Sequence, residues 1–404
     1  MEIRPILSAL FRNKIGALLI ALQIALTLAI VTNAAFIIQQ RSEFISRPSG
    51  LDEANTIVAI TTDFDSNLDS KQLMLDDLDH INAMPGVRAA MISHSIPVSG
   101  SGNGQTYQVA QDTPSNEAVN FGNFSGDERA LEVFDLELLA GRGFRPDEIT
   151  WNNFDTTAQQ KVVLVSKALA DALFPDEDAL GKMIWQDTSS EGPTEIIGIY
   201  DHMQSAWPND ERVERTSIQP YRDLTTPDRH FIIRAEPGER DKVLADVEAY
   251  LSENRGRMIY LIRTFEEQLK RTYSDDTAMV KLLSGVVVIL TLITSLGIVG
   301  LAWFSVSQRR KQIGTRRALG ATRFHIMRYF MVENWLITSM GLALGIAGTL
   351  ALNWVLDTEY QTGRMPLFYL PLGVVLLWLL GQLAVLVPAR RAAATPPALA
   401  TRSV

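Results

Sequence analysis

The sequence predicts an α+β membrane protein: four transmembrane helices, with a large extracytoplasmic α/β insert between helices 1 and 2. Three observations carry this. Residues 15–40, 282–308, 334–356 and 365–389 contain no formally charged side chain, and a helix needs about 20 mostly apolar residues to cross a bilayer. Between the first and second of these stretches lie about 240 residues of mixed polarity, enough for more than one folded domain. Residues 41–278 carry 42 Asp and Glu against 22 Lys and Arg, so the net charge of −9 averages an acidic insert with basic ends.

At the N-terminus, Ile3, Ile6, Leu7, Leu10 and Phe11 share one helical stripe opposite Arg4 and Arg12. This fits a cytoplasmic interfacial helix over residues 1–14, or simply the start of the first span. That span, residues 15–40, is longer than the apolar core of a cleaved signal peptide, about 7–15 residues, and is read as retained. Arg4, Arg12 and Lys14 precede it; Arg309, Arg310, Lys311, Arg316, Arg317, Arg323 and Arg328 follow the second span; Arg390, Arg391 and Arg402 follow the fourth. Short loops rich in Lys and Arg stay in the cytoplasm. All three clusters therefore place both termini inside, with the insert and the loop 357–364 outside. Sidedness and contact with anionic membrane lipid account for these basic runs, and no nucleic-acid partner is expected. The chain has no cysteine, so the insert is held by its own core rather than by disulfides.

Within the insert, residues 41–263, the periodicity predicts a strand at 55–61, a helix at 70–82, a turn at Pro85-Gly86 and a strand at 88–96. A second such unit follows near the end: strand 231–234, turn at Pro237-Gly238, helix 239–254, strand 258–262. Between them, residues of about 105–225 form a middle subdomain with strands at 161–165 and 195–199 and a helix at 166–173. The chain thus leaves one α/β subdomain, builds another and returns. Residues 264–281, polar but free of Gly and Pro, predict a stalk helix continuous with the second span at 282–308. A cytoplasmic loop at 309–328, a third span at 329–356, a fourth at 365–389 and a cytoplasmic tail at 390–404 complete the order.

Catalytic chemistry is hard to assemble from this sequence. His80, His94, His202, His230 and His325 lack the spacing of an HExxH zinc site. No GxSxG elbow is present, and Gly181-Lys182 lacks the upstream glycine of a phosphate loop. The run Asp63-Phe64-Asp65-Ser66-Asn67-Leu68-Asp69 alternates oxygen ligands as a calcium loop does. Leu68 occupies the glycine position, however, and Met74 the position of the bidentate Glu, so a solvated turn is expected. No charge pair is expected inside a span; Glu333 falls at the cytoplasmic entrance of the third. The expectation is a chain that is not an enzyme, with no catalytic, cofactor or metal site.

The most specific segment is Gln308-Arg309-Arg310-Lys311-Gln312-Ile313-Gly314-Thr315-Arg316-Arg317-Ala318-Leu319-Gly320-Ala321-Thr322-Arg323. It resembles the cytoplasmic loop of MacB/FtsX-type ABC transporter permeases, close to R-x-x-E-I-G-x-R-R-A-L-G-A-T. Met84-Pro85-Gly86-Val87, Gly141-Arg142-Gly143-Phe144, Leu180-Gly181-Lys182, Thr264-Phe265-Glu266-Glu267-Gln268-Leu269 and Pro388-Ala389-Arg390-Arg391-Ala392-Ala393 extend the resemblance over nearly the whole chain.

The resemblance implies a MacB-like periplasmic core domain, an FtsX-like permease domain and location in the bacterial inner membrane. It implies a permease subunit that transmits ATP-driven motion of a separate ABC ATPase subunit, where ATP and Mg are bound, to the periplasmic domain for export or extraction of a substrate. Ile313, Gly314, Arg316, Arg317, Ala318, Leu319 and Gly320 would form the ATPase contact, with Ile313 and Leu319 as an apolar foothold and the arginines supplying charge. Gln312 stands where the family often has Glu. Gly341, Gly345 and Gly348 give a small-residue stripe suited to close helix packing, either between two permease halves of a homodimer or heterodimer or inside one subunit. A periplasmic adaptor is a further partner the resemblance allows. The alternative role is a non-transporting mechanotransmitting sensor or scaffold that regulates an envelope partner.

Overall fold

The structure, a computed structural model, describes residues 14–64, 69–111, 114, 117–153, 160–186, 192–253 and 256–394. The stripe expected ahead of Lys14, residues 65–68 of the calcium-like loop, and the tail beyond residue 394 lie outside the described residues. The chain divides into two compact units: Arg47–Ser274, and the residues before and after it.

Among the described residues, helix α1 (Lys14–Ile45) comes first. The insert then contributes β1 (Thr56–Asp63), α2 (Ser70–Ala83), β2 (Val87–Ser93), β3 (Asn103–Gln108), β4 (Val119–Ser125), α3 (Ala130–Phe134), β5 (Leu138–Gly141) and β6 (Thr150–Asn152). It continues with β7 (Val162–Ser166), α4 (Lys167–Leu173), β8 (Met183–Gln186), β9 (Thr194–Tyr200), β10 (Thr216–Gln219), β11 (Tyr221–Asp223), β12 (Asp228–Ala235), α5 (Arg240–Glu253), β13 (Arg257–Thr264) and α6 (Phe265–Thr272). The remaining helices are α7 (Ser274–Gln308), α8 (Arg310–Ala318), α9 (Arg323–Tyr360) and α10 (Tyr369–Ala393).

The two strand–helix–strand units at the ends of the insert interleave in one sheet ordered β13-β1-β12-β2, antiparallel throughout. This is a split β-α-β arrangement. Met74, Leu78 and Ile81 of α2 and Val243, Val247 and Leu251 of α5 recur at helical spacing, so each helix buries one face. They pack on Ile57, Ala59, Phe231 and Ile233 of the sheet. Asp69 caps α2 by accepting from the backbone N–H groups of Lys71 and Gln72. Across the two halves, Arg257 Nε donates to Asp63 at 2.8 Å and Arg257 Nη1 to Asp77 at 3.1 Å, with Tyr250 also donating to Asp77 at 3.0 Å. Both carboxylates at the described ends of the calcium-like run are thus committed elsewhere, Asp63 to an ion pair and Asp69 to a helix cap.

The middle subdomain is inserted between β2 and β12. Its seven strands run β5-β9-β7-β10-β4-β3-β8, and β8 also pairs with β9, so six of them close on themselves. Tyr107, Phe121, Val163, Val165, Leu169 and Ile196 fill its core. Separately, β6 and β11 form a two-stranded parallel sheet.

The stalk corrects the expectation of one helix running from residue 264 into the second span. Two helices, α6 and α7, form instead, and Tyr273 lies between them at φ −94°, ψ 16°. Nothing in the local sequence marks this break. Tertiary contacts set it: Tyr273 is buried and Thr272 hydrogen-bonds to Val98.

In the other unit, α1, α7, α9 and α10 are each long and apolar enough to cross a membrane. Helix α1 is the hub. Ala21, Ile24 and Leu28 are buried in a cluster that includes Ile298 of α7, Ile337 and Leu342 of α9 and Leu377 of α10. Polar pairs join the same helices: Thr27 to Thr294 at 2.7 Å, Asn33 to the Thr349 carbonyl at 3.2 Å, Asn334 to the Gly381 carbonyl at 3.0 Å, and Arg41 to Asp276 at 2.9 Å.

Gly341 and Gly345 pack inside the chain. A Cβ at Gly341 would come within 2.7 Å of the Ala21 carbonyl oxygen, and one at Gly345 within 3.0 Å of the Ala25 Cα. Gly348 faces Ala29 at a looser 3.6 Å. Of the two roles open for the stripe, this one is filled by α1.

Candidate functional site

The segment expected as a cytoplasmic loop at 309–328 is mostly helical: α8 occupies its first half and α9 begins at Arg323. The turn between them explains the Leu-Gly-Ala-Thr run. Gly320 adopts φ +97°, the left-handed conformation that glycine takes without steric cost. The Gly320 N–H bonds to the Arg317 carbonyl and the Ala321 N–H to the Arg316 carbonyl, a pattern that satisfies the last carbonyls of a helix. Thr322 then caps α9 by accepting from the His325 N–H at 3.2 Å.

The predicted coupling residues separate into two groups. Ile313, only 4 % exposed, and Gly314 face inward, and Ile313 joins the cluster of Ile326, Phe330, Ala389 and Ala392. The apolar foothold expected at Ile313 is therefore an anchor to the helix bundle and is unavailable to a partner. Arg316, Ala318, Leu319 and Gly320 are exposed, Leu319 by 83 %. Arg317 is half-buried, and its Nη1 donates to the Ala393 carbonyl at the end of α10 at 3.2 Å.

Sequence reading missed Phe324 and Tyr329 here, and the pairing of Arg309 with Glu333. Phe324, 61 % exposed, follows Leu319 by five positions, on the other side of the turn in the sequence. Arg309, just before α8, donates to Glu333 at 2.8 Å and to the Tyr329 hydroxyl at 3.1 Å. The guanidinium of Arg316 lies 5.2 Å from the centre of the Tyr329 ring, a cation–π distance. The Arg309–Glu333 pair is largely buried, its side chains 17 % and 8 % exposed, and Glu333 lies ten residues after the start of α9. Gln312 is exposed and lines a shallow notch with Arg309, Arg316 and Tyr329. The helical spacing of Tyr329 and Glu333 was the available signal.

Elsewhere, His94 and Arg142 make structural contacts. Among the described residues no group of three or more His, Cys, Asp or Glu converges as metal ligands would. His94 stacks on Tyr221 and its Nδ1 lies 3.0 Å from the Tyr221 hydroxyl. Burial pulls the His94 imidazole down to about 4, with Asp223 opposing and His230 adding to the pull. The Gly141-Arg142-Gly143-Phe144 run starts at the last residue of β5 and leads out of it. Gly141 has φ +83°, and Arg142 grips Glu148 through two bonds of 2.8 and 2.6 Å.

Four spans, an α/β insert after the first, and a basic helix tucked between the second and third define a multi-pass permease-type membrane protein. Residues 17–250 match the MacB-like periplasmic core domain, and residues 284–397 match the FtsX-like permease C-terminal domain. The chain belongs to the MacB/FtsX-type permeases of ABC transporters, proteins of the inner membrane. The macrolide export ATP-binding/permease protein MacB of Chromobacterium violaceum is 25% identical over 316 residues, 73% of this chain and 46% of that protein. The protein of the same name from Marinobacter nauticus is 24% identical over 366 residues, 88% of this chain and 51% of that protein. The chain spans about half the length of these curated relatives. Among solved structures, the periplasmic region of MacB from Actinobacillus actinomycetemcomitans matches with a TM-score of 0.35 and 14% identity, over 57% of this chain and 98% of that one.

Proposed function

We propose that this chain is the transmembrane subunit of an ABC transporter, receiving ATP-driven motion at α8 and passing it to the insert for export or extraction of a substrate. The observation that carries this reading is the pairing of an exposed tip with an anchored base. Leu319 and Phe324 are offered to a partner, while Ile313 and the Arg309–Glu333 pair fasten α8 to the helix bundle. A partner pressing on the tip therefore moves α9, and α9 moves α1 through the Gly341–Gly345 contact.

The partner is an ATPase on a separate chain, which holds ATP and Mg. Its docking groove is apolar at the centre and acidic at the rim, complementary to the exposed Leu319 and Phe324 and to the exposed cations Arg310, Lys311, Arg316 and Arg323 of the same segment. Both termini and α8 lie in the cytoplasm, with the insert outside. Motion requires the ATPase to bind two permease states with different affinity. Because α1 fills the glycine face of α9, a second permease copy docks elsewhere, on α7, where Leu282, Leu292 and Leu296 remain exposed.

Copurification tests the docking. Leu319→Asp together with Phe324→Asp alters exposed side chains only and is expected to abolish recovery of the ATPase with an otherwise intact permease. Undiminished recovery would overturn the assignment.

A further inference from the structure

The insert begins at Arg47, soon after α1 ends, and finishes at Ser274, where α7 starts. Both of its ends belong in sequence to the β13-β1-β12-β2 subdomain, yet both are fastened to the inserted one. Gln204, 1 % exposed and in the connection after β9, is the common partner. Its Nε2 donates to the carbonyls of Arg47 and Pro48 at 3.1 and 2.7 Å, and its backbone N–H donates to the Ser49 carbonyl at 2.9 Å. Its Oε1 accepts from the Tyr273 hydroxyl at 3.4 Å. One buried amide thus holds the ingoing chain with its donor end and the outgoing chain with its acceptor end.

Neighbouring contacts reinforce the clasp from both sides. Gly50 takes φ +89° and passes so close that a Cβ there would lie 2.4 Å from the His202 carbonyl oxygen. On the outgoing side, Thr272 Oγ1 donates to the Val98 carbonyl at 2.7 Å, and the Val98 N–H bonds to the Ser205 carbonyl at 3.0 Å. Val98 is fully buried with φ +54°, a conformation that costs a β-branched residue energy and persists only where surroundings over-determine it. The strained residue sits on the segment that leads from β2 into the inserted subdomain.

We infer that Gln204 is a positioning residue: it gathers the chain segments that follow α1 and precede α7 onto the inserted subdomain, so that movement of the two spans is delivered there directly. This rests on the mechanotransmitting reading above. A plain structural buttress would make the same bonds without changing what ATP does to the insert, and that difference is measurable.

The chain contains no cysteine, so two introduced ones report cleanly. Ala245→Cys in α5 and Asp171→Cys in α4 are exposed positions, one in each subdomain. They are spin-labelled in the full chain, purified with its ATPase subunit in nanodiscs, and the label separation is measured without nucleotide and with ATP plus vanadate. The parent is expected to show an ATP-dependent change. Gln204→Leu is expected to lose at least half of that change while the ATPase still copurifies. Thr272→Val, nearly the same shape, removes the hydroxyl that donates to the Val98 carbonyl and accepts from Gln268; it is expected to reduce the change and decides the matter if Gln204→Leu fails to fold. Both variants changing as the parent does would overturn the clasp alone. A parent that ignores ATP would overturn the mechanotransmitting reading and the clasp together.

Discussion

Arg309 and Glu333 lie 24 positions apart in sequence and 2.8 Å apart in space, joining the end of α7 to the interior of α9. The pair ties the residue just before α8 to α9, and under the proposed function this couples the exposed Leu319 and Phe324 to that helix. Burial of both partners makes removal of one costly, since the other is left with an uncompensated charge.

Glu333→Gln should therefore destabilise the purified chain by about 3 kcal/mol. The reversed pair, Arg309→Glu with Glu333→Arg, should recover part of the loss. A double-mutant cycle on thermal melts in detergent reads the coupling; equal losses in the single and reversed variants would show that the contact contributes nothing.

The glycine face gives a graded expectation. Gly341→Ala places a methyl group against the Ala21 carbonyl and Ile24, and Gly345→Ala meets Ala25 and Leu28. Each should cost about 1–3 kcal/mol, the usual range for overpacking. Gly348→Ala, with 3.6 Å of room, should melt within a degree or two of the parent. Equal tolerance at all three positions would contradict the α1–α9 packing.

In the insert, Arg257 is 1 % exposed at its side chain and faces both Asp63 and Asp77. Arg257→Met leaves two carboxylates without their cation, and a loss of about 3–5 kcal/mol is expected. Calorimetry of the full chain should show the insert transition shifting down while the transition of the helix bundle stays in place.

These partners explain what the sequence could and could not disclose. The four spans were legible because hydropathy and charge are local properties of residues 15–40, 282–308, 334–356 and 365–389. The α2 unit was legible from Leu73, Leu75, Leu78 and Ile81 at roughly helical spacing, although the face it buries is Met74, Leu78 and Ile81. Strands β3 and β4, reading NGQTYQ and VNFGNFS, have little apolar alternation and went unseen. The break at Tyr273 and the clasp at Gln204 depend on contacts across 69 to 174 positions, which no local pattern encodes. In the segment Arg309–Arg323 the motif was visible, but the division between buried Ile313 and exposed Leu319 was set by Ile326, Phe330 and α10.

Acid should weaken the insert. The folded His94 holds a value of about 4 against an ordinary 6.5, so between these values the unfolded chain binds more protons than the folded one. The stabilisation is present above pH 6.5 and is lost as pH falls towards 4, to a total of about 3 kcal/mol. His94→Phe keeps a ring against Tyr221 and removes the titration. Its melting temperature should fall less steeply than the parent's across this window, and parallel curves would show that His94 does not control the acid response.

The claim on which the whole account depends is that α8 and the insert lie on opposite faces of the membrane. Single cysteines at Thr315 and Ala245, both exposed positions, can be challenged in spheroplasts with a membrane-impermeant maleimide. The cysteine at 245 should label at once and the one at 315 only after permeabilisation. Prompt labelling of position 315 in sealed spheroplasts would contradict the account.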